Sequence, residues 1–472
     1  MMRGMATEAE SKHQAKIVAL RGEIERLQAE NTTLQAQIAQ LSADLAAALK
    51  QIGKQVPPFV KANRPKAEGE KQPRKKRAAE HNTSRKRSEP TRIEKHALER
   101  CPDCHYELHG ASIDYTREVI ELPAPQPVAV IEHQVIKRWC PCCQGWRSPK
   151  LDLSGQVFGQ GRIGVRIAGL VAYLRTTLRL PVGAIQTYLQ TVHQLQLSVG
   201  EIVELTHTVQ AELAPQVAAL RTEVKASPVV HADETGWREN GRNGYVWAFV
   251  TGGENPLRYF VYHHSRSHLI PQGVLGLQLS GLLVTDFYAA YNLLRGHHQR
   301  CWAHLLRDLH ALKEAHAETP EVLTWAQGVG QLYADAQAWL TENVTPTTTE
   351  RTAQYEQLFN RACTWGQQYA LESKHPCQAL AKRLLRHQDE LFQFVLTPGV
   401  PPDNNLAERS LRPLVIMRKI SGGSRSPQGS KTRMALFSLL STWAARDLNP
   451  FLQCVLLLQN PTANAPPATS LP

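Results

Sequence analysis

The sequence has no long hydrophobic run: no stretch of about 18 residues is apolar and free of charge, as a bilayer-crossing helix requires. No basic, apolar, small-residue leader opens it, so the expected location is the cytoplasm, at the nucleoid if DNA is bound. Cysteine is scarce, nine in 472 residues, which excludes a disulfide scaffold. Acid is in deficit as well. Lys plus Arg number 54 against 42 acidic residues, a formal net charge of +12, and the surplus points to a polyanionic partner. The rest of the composition is ordinary for a globular chain of two or three domains, with 42% hydrophobic residues.

Residues 17–48 carry a heptad. With Ile17 at position a, the a sites are Ile17, Ile24, Asn31, Ile38 and Leu45, and the d sites are Leu20, Leu27, Leu34, Leu41 and Ala48. Ile at a with Leu at d favours a parallel two-stranded coil, and a single a-site Asn fixes its register. The expectation is a homodimer; the alternative is one amphipathic helix lying on its own domain. After it, Pro57, Pro58, Pro65 and Pro73 break any helix. Two basic clusters come next, Arg74, Lys75, Lys76, Arg77 and Arg85, Lys86, Arg87. Such a linker is solvated, and it neutralises DNA phosphates without reading sequence.

Four of the cysteines stand in CxxC pairs, in "CPDCHYELHG" (101–110) and "RWCPCCQGW" (138–146). Each pair sits in a short turn, the knuckle that presents two thiolates to one tetrahedral zinc. The expected ligands are Cys101, Cys104, Cys140 and Cys143. Cys142 is an alternative fourth ligand, and His105, His109 and His133 are possible substitutes. A redox dithiol is the competing reading. Between the pairs, residues 119–139 alternate as strands do, which predicts a sheet that brings the knuckles together. Residues 155–226 read as helices, either a helix-turn-helix-like DNA-binding unit or a packing layer for the domain C-terminal to them.

From Pro228 the pattern turns to strands: "PVVHADETGW", "GYVWAFVT", "LRYFVYHH" and, after a helix near 267–278, "GLLVTD". A fifth, "HHQRCWAH", leads into a helix. The first strand ends at Asp233 and the fourth at Asp286. An Asp at a strand-to-helix junction is ordinarily a cap. Two carboxylates at neighbouring strand ends also supply hard oxygen ligands for a divalent ion that handles phosphate. A third acid, Glu408, lies one turn into the helix that Asn404 or Asn405 starts in "PPDNNLAERSLRPLVIMRKISGG". Asn405 and Glu408 also have the spacing of a capping box, which would leave Glu408 a local role. Asn404, Asn405 and His304 either orient ligands or serve as cap and core. The turn "GSRSPQGSKT" (423–432) is no P-loop, because its glycine spacing is one residue too long and Lys431 does not directly succeed Gly429.

Taken in order, "HADETGW", "VTDFYAAYN", "CWAHLLRDL" and "DNNLAERSLRPLVIMRKISGGSRS" resemble the transposases of the insertion sequence 66 family, in the DDE superfamily. The heptad, the knuckles and the helical stretch recur there too, so the likeness spans nearly the whole chain. The resemblance implies a ribonuclease H-like sheet interrupted by a helical insertion between the second acid and the final Glu. It implies Asp233, Asp286 and Glu408 as catalytic acids holding two Mg²⁺ (or Mn²⁺), cutting at terminal inverted repeats and joining the ends to target DNA, with or without accessory proteins. Arg409 and Arg412, flanking Glu408, either meet phosphates or are exposed helix charge.

The expected architecture is multidomain α/β: coiled coil 1–52, basic linker 53–100, zinc module 101–150 and helical domain 151–227. The ribonuclease H-like core comes in two parts, 228–304 and 398–455, around an insertion at 305–397, with a disordered tail 456–472. A dimeric zinc-containing DNA-binding regulator and a plain nuclease on the same fold are the rival functions.

Overall fold

A computed structural model describes residues 16, 18, 20–42, 44 and 89–460, apart from Pro123. The basic clusters 74–77 and 85–87 lie outside the described residues, as do Ile17, Leu45 and Ala48 of the heptad and the last twelve residues, 461–472. The chain divides into two units, Met1–Glu121 and Leu122–Pro472.

In the first unit, residues 20–42 form helix α1, and its a and d side chains are open to solvent, Leu27 and Leu34 each about half exposed (51% and 52%). The first CxxC turn is closed by a bridge between Arg100 and Glu107 and by the Leu108 N–H donating to the Glu99 carbonyl.

The second unit opens with a small hairpin, β1 (Arg138–Cys140) and β2 (Gly145–Arg147), around the second CxxC turn. The strands expected over 119–139 form only from Arg138 onward; among the described residues before it there is no strand. Three prolines, Pro123, Pro125 and Pro127, remove ladder donors from that stretch. Past them the Val128 N–H bonds to the His193 carbonyl rather than to a strand.

Helices α2 (Val165–Thr176), α3 (Val182–His193), α4 (Val199–Glu212) and α5 (Ala214–Ala226) succeed the hairpin. A five-stranded sheet comes next: β3 (Val229–Glu239), β4 (Arg242–Val250), β5 (Arg258–His263), β6 (Gln278–Thr285) and β7 (Arg295–Arg300), with α6 (Leu269–Leu275) between β5 and β6. Its order is β5-β4-β3-β6-β7. The first three pair antiparallel, and β6 and β7 add in parallel beside β3. The β3–β4 hairpin turns on Asn240 and Gly241, both at positive φ, the two-residue turn whose twist matches the strands.

Alternation along β3 assigns its faces. Val230 and Ala232 enter a core shared with Val165, Val209 and Leu220, so α2, α4 and α5 form the layer under that face. Trp237 points the other way, into a core with Ala407, Leu411, Leu414 and Met417. Those four residues belong to α12 (Asn405–Ser421), whose buried positions recur at helical spacing.

Between β7 and α12 the chain makes a helical excursion: α7 (Trp302–Ala315), α8 (Pro320–Glu342), α9 (Thr348–Ala370), α10 (Gln378–Arg386) and α11 (Gln393–Leu396). Its core of Trp302, Trp325, Leu332, Leu358 and Leu384 is continuous with Leu282 and Val284 of β6, so the excursion is fused to the sheet. Helices α13 (Pro427–Ala445) and α14 (Pro450–Gln459) complete the unit. The last helix runs past 455 and buries Leu458 in the core. No helix of the described residues is long and apolar enough to cross a membrane.

Candidate active site

Parallel pairing of β3 with β6 sets His231 beside Val284. Two residues further along each strand come Asp233 and Asp286. Because side chains alternate with period two, both carboxylates leave the face that carries His231 and Val284. Adjacent strands lie about 4.8 Å apart. The register therefore sets the two acids side by side, Asp286 just past the end of β6 and Asp233 inside β3, which runs on to Glu239 instead of ending at Asp233.

The charges register this closeness. Burial first, and then the negative charges of Glu234, Asp286 and Glu408, push the Asp233 carboxyl well above the usual carboxylate range, against one stabilising bond from the Glu234 N–H at 2.8 Å. Like charges crowded in a desolvated site favour either a shared proton or a cation.

Asp286 does part of the ordinary capping work. Its Oδ1 accepts the Tyr288 N–H at 2.9 Å, turning the chain into the short 3₁₀ helix Ala289–Leu293. Its main-chain carbonyl accepts from Arg300 at 2.9 Å and from the Thr285 hydroxyl at 2.9 Å.

Glu408 lies in the first turn of α12. The capping box open to it in sequence does not form: Asn404 is the N-cap and its side chain does not cap the helix, while Asp403 Oδ1 accepts the Asn405 N–H at 3.0 Å. The wholly buried Asn404 turns inward instead. Its Nδ2 donates to the Ala232 carbonyl at 2.8 Å, its Oδ1 is 3.2 Å from His231 Nδ1, and its N–H donates to Cys301 Sγ at 3.2 Å. The helix start is thereby fixed to β3 one residue from Asp233. Glu408 Oε1 is left buried with no hydrogen-bond partner, and His304 Nε2 is 3.7 Å away. A desolvated carboxylate oxygen without a donor suits a cation.

Among the described residues no three His, Cys, Asp or Glu side chains stand close enough to hold one ion together. The acids thus converge electrostatically without forming a single ready-made cage.

Arg409 and Arg412 point to solvent on α12, beside Glu408. In the 423–432 turn, the Gly429 N–H is taken by the cap Ser426 at 3.1 Å, which removes a donor that a phosphate cradle would use. Ser424 binds the β3–β4 hairpin instead, its N–H donating to Arg238.

Within each CxxC turn, amide groups face the first sulfur. The Cys143 N–H lies 3.4 Å from Cys140 Sγ, and hydrogen bonds from Cys143 lower the Cys140 thiol pKa. The backbone of Cys104 and then of Asp103 does the same for Cys101. Amide donors that favour thiolate suit a metal knuckle.

Sequence reasoning passed over two buried polar residues here. Glu234, beside Asp233, is held by the Tyr291 hydroxyl at 2.6 Å and by Arg266 Nε at 2.9 Å. Arg300 is fully buried under Asp286. Glu234 lies within β3 and Arg300 ends the short β7, and in sequence each shows only as a charge on a strand.

Two family models match this chain. The family model described as "Transposase IS66 family" matches residues 160–432. That for the zinc-finger binding domain of transposase IS66 matches residues 99–144. An uncharacterized protein of Sinorhizobium fredii, y4jO, is 40% identical over 63 residues, 13% of this chain. The chain spans 20% of that relative's length.

Proposed function

This chain belongs to the transposase IS66 family, and from that premise we propose that it cuts DNA at the ends of an insertion sequence and joins them to target DNA. Asp233, Asp286 and Glu408 are the metal-holding acids in this reading. The observation that carries it is the Asn404 anchor, whose Nδ2 donates to the Ala232 carbonyl at 2.8 Å and so ties the first turn of α12, with Glu408, to β3 beside Asp233. Bound as a pair, Mg²⁺ or Mn²⁺ would lower the pKa of the attacking water or 3′-hydroxyl and offset charge on the leaving oxygen.

The protein's part is placement. Asp233 within β3 and Asp286 just past β6 leave one face of the sheet, and the Asn404 anchor ties the helix that carries Glu408 to β3. Arg409 and Arg412, outside the acid cluster on the same helix, meet phosphates of the DNA. The ribonuclease H-like fold supports this assignment only as an expectation of the family; the mixed sheet with its helical excursion is consistent with it.

The other parts serve the same reaction. Cys101, Cys104, Cys140 and Cys143 bind a structural zinc, a reading supported by the zinc-finger match and by the amide donors within each knuckle. The clusters Arg74, Lys75, Lys76, Arg77 and Arg85, Lys86, Arg87 neutralise phosphates, and the uncovered apolar seam of α1 pairs two copies. DNA as substrate sets the work in the cytoplasm, at the nucleoid.

The test is cleavage of a labelled element end, and its joining to a target plasmid, by wild type and Asp233→Asn. Cleavage without joining would mark a plain nuclease. DNA binding with neither reaction, in wild type, would leave the regulator.

A further inference from the structure

Arg300 closes β7, paired in register with Thr285, the last residue of β6. Its side chain is completely buried, which for a guanidinium demands partners on every side. It has them. Nη1 donates to Thr285 Oγ1 at 3.1 Å and to the Asp286 carbonyl at 2.9 Å, Nη2 to Asn292 Oδ1 at 2.8 Å, and Nε to Glu390 Oε2 at 2.5 Å. The first three partners bracket Asp286: the residue before it, its own carbonyl, and the 3₁₀ helix after it.

The fourth partner comes from elsewhere. Glu390 belongs to the returning end of the helical excursion, just before α11. Burial would raise its carboxyl, but hydrogen bonds from His387 and Arg300, with the Arg300 charge, hold it down to about 2. Neighbours of Arg300 reach the same segment. Gln299 Nε2 donates to the Leu391 carbonyl at 3.0 Å, and Trp302 Nε1 donates to it at 2.6 Å. The excursion and the Asp286 turn therefore share one buried cation.

We propose that Arg300 is the positioning residue that sets Asp286 for metal binding, and that Glu390 in the helical excursion holds Arg300 for that task. This rests on the reading of Asp286 as a metal ligand. A planar fork reaching four acceptors is specific to arginine; lysine is a point donor on a flexible stem. The helical excursion thereby gains a role beyond bulk. Its docking and the geometry of the second acid are one arrangement, and loosening either loosens the other.

The experiment titrates Mn²⁺ into the full-length protein without DNA and tracks loss of the free-ion electron paramagnetic resonance signal, with unfolding midpoints measured in parallel. Compared with wild type are Arg300→Lys, Glu390→Gln, Asn292→Ala and, as control, Asp286→Asn. Residues that orient metal ligands typically change affinity on the order of 10- to 100-fold. A weakening of that size is expected for Arg300→Lys and Glu390→Gln, and a smaller one for Asn292→Ala. Asn292 is exposed and loses a single bond, so it reports on the clamp even where Arg300→Lys fails to fold. If Asp286→Asn weakens Mn²⁺ binding and the folded clamp variants bind as wild type, the inference is overturned while the site stands. If Asp286→Asn itself binds as wild type, the assignment of Asp286 fails and takes this inference with it.

Discussion

Asn404 Oδ1 lies 3.2 Å from His231 Nδ1, and both side chains are buried between the sheet and the start of α12. Burial pushes the His231 imidazole down to about 4, so the ring is neutral near pH 7 and this contact is a hydrogen bond between uncharged groups. It ties the helix that carries Glu408 to the strand that carries Asp233.

Asn404→Ala removes that bond and the one to the Ala232 carbonyl, stranding two buried polar groups. The cost is about 1–3 kcal/mol for each group left unpaired. Chemical denaturation should show a lower midpoint at unchanged slope. Cleavage should fall by more than the lost folded fraction, because Glu408 loses its anchor. A destabilised protein that cleaves in proportion to its folded fraction would leave Asn404 a purely structural residue.

Acid should dismantle the joint between the helical excursion and the sheet. Glu390 has a folded pKa of about 2 against an ordinary value of 4.5. A depressed folded value contributes stability above pH 4.5, and this contribution fades as the pH falls toward 2. Its size is about 3 kcal/mol at most, from the shift at 1.36 kcal/mol per unit. Denaturation of wild type and Glu390→Gln at pH 6 and pH 3 should show a stability gap that narrows on acidification. A gap independent of pH would show that the Glu390 charge is not what matters.

Zinc content gives a third outcome. Elemental analysis of the purified protein should find one zinc per chain, and Cys101→Ser or Cys140→Ser should reduce it. Cys142→Ser should leave it intact, because Cys143, not Cys142, is the expected fourth ligand. Zinc retained in Cys143→Ser but lost in Cys142→Ser would exchange those two thiols.

Association through α1 is open to a direct measurement of mass. Leu27→Asp with Leu34→Asp puts charge into the exposed d positions of the heptad and should convert a species of twice the chain mass into one of single mass in light scattering. A mass that does not change would detach the seam from dimerisation.

Sequence alone disclosed the chemistry-bearing residue types better than the structure supporting them. The proposed acids Asp233 and Asp286 stand out in sequence because each closes an apolar run, and motif order ties them to Glu408. The strand order emerges only from the packed sheet. The strands expected over 119–139 failed because alternation was weighed without the three prolines inside it. Asn404 looked like a cap, and only its complete burial shows that it faces the sheet. Arg300 gave no usable signal, because a lone arginine on a six-residue strand reads as a solvated charge until its four partners are known.

Glu408 is the acid on which the three-carboxylate site most depends. Glu408→Gln preserves side-chain size but offers a neutral amide where a hard anionic oxygen is needed for Mg²⁺. Measured on a labelled element end, cleavage should drop by more than about 100-fold, beyond what loss of a residue that merely orients a ligand costs, with folding and DNA binding kept. Wild-type cleavage by this variant would contradict the three-acid site.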